Sequence, residues 1–145
     1  MIEKTVNILL VEDNQDDIDL AVKAMNKTKI KNRLHITMDG IEALMFVRKL
    51  GKYIDSPTPD LILLDLNLPR KDGREVLAEI KLDTQLRQIP VIILTTSKAD
   101  EDILESYKNY ANCYIVKPYD FVSLVSAVNT IEDFWFNLVK LPAND

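Results

Sequence analysis

Apolar residues in this chain fall into short unbroken runs, each stopped by a polar group. Leu61-Ile62-Leu63-Leu64 leads into Asp65, and Pro69 cuts the run off. Val6 to Val11 leads directly into Glu12-Asp13. Leu34-His35-Ile36-Thr37-Met38 is closed by Asp39-Gly40. Val91 to Leu94 opens after Pro90 and ends in Thr95-Thr96-Ser97, and Cys113 to Val116 ends in Lys117-Pro118. Short continuous runs of this kind read as strands buried on both faces, as in a parallel sheet.

Between the runs the apolar spacing becomes helical. Asn14 is placed to cap a first helix with Asp16 and Asp17 in its opening turn, and Ile18, Ala21, Val22 and Met25 carry it to about Lys27. Ala43, Leu44, Val47 and Leu50 mark helix two, with Gly51 in the place of a C-terminal cap. A loop with two prolines follows over 53–59. Val76, Leu77 and Ile80 mark helix three. Ile103, Leu104 and Tyr107 give a thin stripe for helix four over roughly 101–109, and helix five runs from near Asp120 to about Lys140. Five strands alternating with five helices predict right-handed crossovers, hence an α/β, doubly wound five-stranded parallel sheet with helices on both faces.

Composition narrows the class. A chain of 145 residues with 47% hydrophobic and 28% charged residues supports one globular domain. No apolar run is long enough to cross a membrane as a helix. Residues 1–5 lead into a strand with no signal-peptide pattern. The lone cysteine, Cys113, excludes an internal disulfide and fits a reducing, cytoplasmic setting. A net charge of -5 without a basic cluster argues against nucleic-acid binding.

All strands of a parallel sheet end on one edge, and ligand sites of such folds lie there. The pattern therefore brings together Glu12, Asp13, Asp65, Asn67, Thr95, Thr96, Ser97 and Lys117, which are far apart in sequence. Taken alone, Asp65 is as readily a loop cap as a site. Beside the other strand ends it faces two more carboxylates. Such a group repels itself unless one member protonates or a cation joins it. Oxygen ligands and an open site suit Mg²⁺. Carboxylates, a divalent cation, a lysine and a hydroxyl make a site for a phosphoryl group, with Asp65 as the nucleophile.

These residues, in this order and each at a strand end, resemble the receiver domain of two-component response regulators, the CheY-like group. The resemblance rests on Glu12-Asp13, on Asp65 with Asn67-Leu68-Pro69 and Asp72-Gly73, on Thr95, and on Lys117-Pro118, and it covers roughly 5–140. It implies strand order 2-1-3-4-5 and a phosphoryl group accepted by Asp65 from a sensor histidine kinase. It implies Mg²⁺ on Asp13 and Asp65, with the Asn67 backbone carbonyl, and Glu12 acting through water. It also implies that Thr95 and Lys117 hold the phosphoryl group, and that Tyr114 is the switch aromatic. Thr96 departs from the small residue usual after the switch threonine, and its bulk would narrow access to the phosphate. The segments 68–77, 131–136 and 138–142 resemble stand-alone regulators paired with phytochrome-type kinases.

Plainer roles stand beside these. Thr95 reads as an ordinary strand-end threonine when taken alone, and Tyr114 equally as an edge aromatic. His35 is a strand residue rather than a ligand, so a phosphohistidine must come from a partner. Cys113 is a packing residue, and Arg70 and Lys71 form a solvated loop bordering the site. Helix five carries Phe134, Trp135 and Phe136, which cannot share one core stripe, and at about 20 residues it spans roughly 30 Å. This predicts a homodimer through helix five with helix four and strand five. The chain ends after helix five, so a single receiver domain without an output domain is expected. Two other functions compete: a Mg²⁺-dependent phosphatase of the haloacid-dehalogenase type, and a degenerate receiver serving as a scaffold. The phosphatase would need a second aspartate where Asn67 stands.

Overall fold

The computed structural model describes residues 5–28, 30–95, 113–116 and 121–133. Five parallel strands, β1 (Val6–Val11), β2 (Asn32–Thr37), β3 (Leu61–Asp65), β4 (Val91–Thr95) and β5 (Cys113–Val116), form one sheet in the order β2-β1-β3-β4-β5. The helices are α1 (Gln15–Met25), α2 (Gly40–Arg48), α3 (Gly73–Leu82) and a C-terminal helix (Phe121–Asp133). Helix four of the sequence pattern, and everything beyond 133, lie outside the described residues.

The unbroken apolar runs are explained by two core layers. Leu9, Val11, Ile62, Leu64, Val91 and Ile93 pack under α2 and α3. Ile8, Leu10, Leu61, Leu63, Ile92 and Leu94 pack under α1 and the C-terminal helix, where Leu124 and Val128 are fully buried. Side chains alternate between faces along a strand, so a strand covered on both sides must be apolar at every position. β2, at the sheet's edge, is buried less evenly, and Ile36 is exposed.

Helix starts follow the sequence. The Asn14, Asp39 and Asp72 side chains accept from the backbone N–H of Asp17, Glu42 and Arg74. Asp39 therefore opens α2 rather than closing β2. One expected cap is corrected. Gly51 does not end α2. Lys49 takes the left-handed conformation at φ 57°, and Leu50 N–H donates to Met45 O at 2.9 Å. Gly51, itself at φ 58°, begins a short 3-10 turn to Tyr53. That turn is fastened by Tyr53 Oη donating to Glu42 at 2.6 Å, so part of the expected loop is ordered. His35 lies in β2 with Nε2 3.0 Å from Asn7 Oδ1 and its ring against Phe46. Among the described residues no helix is long and apolar enough to cross a membrane.

Lys81 is the buried cation of α3. Its Nζ donates to the carbonyls of Arg87 at 2.9 Å and Ile89 at 2.6 Å, tying the chain after α3 back onto the helix. Burial pushes its pKa down from 10.5 to about 8. Between those values the unfolded chain holds a proton that the folded chain has shed, so stability rises with pH across that window. Urea unfolding of wild type and Lys81→Met should diverge between about pH 8 and 10.5, with wild type gaining on the order of 2 kcal/mol on the variant. Parallel profiles would contradict this.

Candidate functional site

The register of the sheet builds the site. Val11 lies level with Leu64, Asp65 with Leu94, and Thr95 with Val116. The carboxyl ends of β1, β3, β4 and β5 therefore finish along one edge. Asp65 is the last residue of β3 and follows Leu61 and Leu63 in alternation. Its side chain thus belongs to the α1 face.

Glu12 and Asp13 leave β1 at the same edge. Glu12 N–H continues the ladder by donating to Thr37 O at 3.0 Å, while Glu12 Oε2 accepts from Asn14 N–H at 3.2 Å. Asn14 then caps α1. One carboxylate oxygen from each of Glu12, Asp13 and Asp65 lies within 4.8 Å of the others. Glu12 is 1% exposed and Asp65 4%, whereas Asp13 is open to solvent.

The loop from β3 to α3 closes the other side. Asn67 N–H donates to Asp65 Oδ1 at 3.1 Å, which orients the carboxylate. Leu66 N–H donates to Leu94 O, and Gly73 N–H donates to Leu66 O at 2.9 Å. A Cβ at Gly73 would overlap the Asp65 carbonyl oxygen and the Leu66 Cα, so this close approach requires glycine. Gly40 has the same role against the Lys71 carbonyl. The sequence offered a signal for both, since each glycine follows an aspartate that caps a helix.

The donor set fits a hard divalent cation. It is all oxygen, carries several carboxylates, and has one member, Asp13, open to solvent, as suits a cation that keeps part of its hydration. Like charges this close repel, and a cation between them reverses the sign of the interaction. Of the other predicted site residues, Thr95 ends β4 at the same edge. Tyr114 is half-buried and packs against the α2/α3 core layer. Thr96, Ser97 and Lys117 lie outside the described residues. Exposed Asp16 and half-buried Asp17 stay in the first turn of α1, outside the group formed by Glu12, Asp13 and Asp65.

Comparison with known proteins agrees with this arrangement. A family model described as the response regulator receiver domain matches residues 8–129. The response regulator Rcp1 of Synechocystis sp. is 48% identical over 136 residues, covering 94% of this chain and 92% of Rcp1. The crystal structure of the phosphorylated cyanobacterial phytochrome response regulator RcpA aligns with a TM-score of 0.84 at 46% identity. That alignment covers 97% of this chain and 100% of RcpA. The Mn²⁺-bound form of Rcp1 aligns with a TM-score of 0.82 at 47% identity, covering 95% and 99%. A similar protein thus binds a divalent metal, and Glu12, Asp13 and Asp65 of this chain offer oxygen ligands for one.

The repulsion makes a direct prediction. Asp13→Asn should raise the thermal midpoint in EDTA by a few degrees, because it removes one of three crowded charges. It should also erase most of the upward shift that millimolar MgCl₂ gives wild type. A variant that stays as responsive to MgCl₂ as wild type would place the cation elsewhere.

Proposed function

The chain belongs to the response-regulator receiver family, and on that premise we propose that Asp65 is its phosphoacceptor and that Mg²⁺ is its metal. Receivers of this family take a phosphoryl group from a sensor histidine kinase. The observation that carries the assignment is the convergence of Glu12, Asp13 and Asp65 at the carboxyl edge of the sheet.

In this reading Asp13 and Asp65 hold Mg²⁺ through their carboxylates, the Asn67 backbone carbonyl adds a ligand, and Glu12 contributes through water. A cation held by these residues would supply positive charge against the phosphoryl oxygens. Asp65 supplies the attacking oxygen. The P–N bond of the donor's phosphohistidine breaks as the O–P bond of an aspartyl phosphate forms. The Asn67 N–H on Oδ1 fixes the carboxylate before attack. Thr95 and Lys117 hold the transferred group and Thr96 flanks it. Tyr114 relays the change toward the C-terminal helix.

The phosphatase reading draws no support from these relatives. Its general acid would have to be Asn67, whose amide cannot donate a proton in that role. The protein is in this reading a switch rather than an enzyme, with slow self-dephosphorylation, acting in the cytoplasm through a protein-binding face. Likeness to Rcp1 and RcpA supports a phytochrome-type kinase as the partner. The homodimer reading, through the C-terminal helix with β5 and the 101–109 segment, rests on the aromatic excess of residues 134–136.

Acetyl phosphate or phosphoramidate with MgCl₂ should add one phosphoryl group to wild type by intact mass, and none to Asp65→Asn. Steady turnover of a phosphomonoester would favour the phosphatase, and neither result would favour a scaffold. Light scattering should give a dimer for the phosphorylated chain. A monomer in both states would refute that assembly.

A further inference from the structure

The loop that carries Asn67 is latched from the side by α2. Lys71 N–H donates to Pro69 O at 2.7 Å, closing a three-residue turn across Arg70, which takes φ 66°. Such turns are rare, and a left-handed arginine persists only where its surroundings impose it.

Three contacts impose it here. Arg70 Nη1 pairs with Asp39 Oδ2 at 3.1 Å. The Lys71 carbonyl sits against Gly40, where no Cβ would fit. Lys71 Nζ pairs with Glu79 Oε2 on α3 at 2.6 Å. Asp39 is buried and serves twice: its Oδ1 accepts from Glu42 N–H at 2.8 Å to cap α2, and its Oδ2 holds Arg70. Its position is therefore fixed by a helix start, which makes it a rigid post for the loop.

Only Leu68 separates Asn67 from this turn, which Pro69 opens. Proline fixes its own φ, and Gly73 N–H closes the loop onto Leu66 O. A chain this short and this constrained transmits a change at Arg70 to the backbone at Asn67. We propose that Arg70 and Asp39 are positioning residues for the metal site. Their ion pair holds the Asn67 backbone in the conformer that presents its carbonyl to a divalent cation. The proposal rests on the reading of Asn67 given above.

The sign of one substitution separates this role from that of a solvated surface charge. Arg70 is a cation on the loop that carries Asn67, so by Coulomb repulsion alone its removal would tighten binding of another cation or leave it unchanged. A positioning role demands the opposite. Asp39→Asn keeps the cap, because asparagine caps helices as well as aspartate, but gives up the charge on Arg70. The pair is partly exposed, which bounds the effect to roughly the scale of a surface ion pair.

Calorimetric titration with MgCl₂, and separately MnCl₂, of wild type, Arg70→Gln, Asp39→Asn and the double variant tests it. Arg70→Gln should weaken the metal about fivefold (about 1 kcal/mol). Asp39→Asn should do likewise, and the double variant should be no weaker than either single, because the latch is lost only once. Metal-free thermal midpoints of the single variants should stay near wild type, which separates loss of position from loss of fold. Unchanged or tighter binding by Arg70→Gln overturns the proposal while leaving the metal site standing. A double variant restored to wild-type affinity does the same, since that is what opposite charges removed together would give. Wild type that binds neither cation overturns the reading beneath it and the proposal with it.

Discussion

Glu12 and Asp65 are almost wholly buried, and they share with Asp13 a space less than 5 Å across, each offering an oxygen within 4.8 Å of the others. Taking a carboxylate out of water costs several kcal/mol, and crowding like charges adds to that cost. The hydrophobic core does not relieve this; it enforces it. β1 and β3 are covered on both faces, so their register cannot slip without turning apolar side chains toward the wrong layer. Once Val11 is level with Leu64, the next residues along each strand must meet. Free energy gained from the core is thus held at one edge as electrostatic tension, and a divalent cation or a transferred phosphoryl group changes that tension.

The surrounding loops hold the tension in place. Asn14 both caps α1 and donates its N–H to Glu12, so the direction of the first helix and of one carboxylate are set together. Asp72 caps α3, while Gly73 lets that helix start directly against the Asp65 backbone. Among the described helices, α1 and α3 each begin beside the acidic group.

Much of this was legible in the sequence because the physics is local. Unbroken apolar runs can only be strands with two covered faces, and the bounds of β1 and β5 follow the runs residue for residue. Strand ends in a parallel sheet share an edge, so Glu12, Asp13 and Asp65 could be gathered without coordinates. What was not legible depends on backbone conformation or on contacts between distant elements. Lys49 rather than Gly51 takes the left-handed cap, against the usual preference for glycine, because the chain turns back through Leu50 N–H to Met45 O. The pairing of Arg70 with Asp39, 31 residues away, leaves no periodic trace. Arg70 and Lys71 read as a solvated loop because charge at a turn is ordinarily just that. Only the meeting of the α2 start and the β3–α3 loop gives these residues partners.

The three-carboxylate group is proposed as the cation site, in preference to the acids of α1. Paramagnetic broadening in ¹⁵N–¹H NMR spectra with substoichiometric Mn²⁺ tests this most directly, since it reports proximity without relying on activity or stability. The account predicts that the amides of Glu12, Asp13, Asp65 and Asn67 broaden first and together. Broadening that begins at Asp16, Asp17 and Asp19 of α1, or that spreads evenly over the surface, would contradict it.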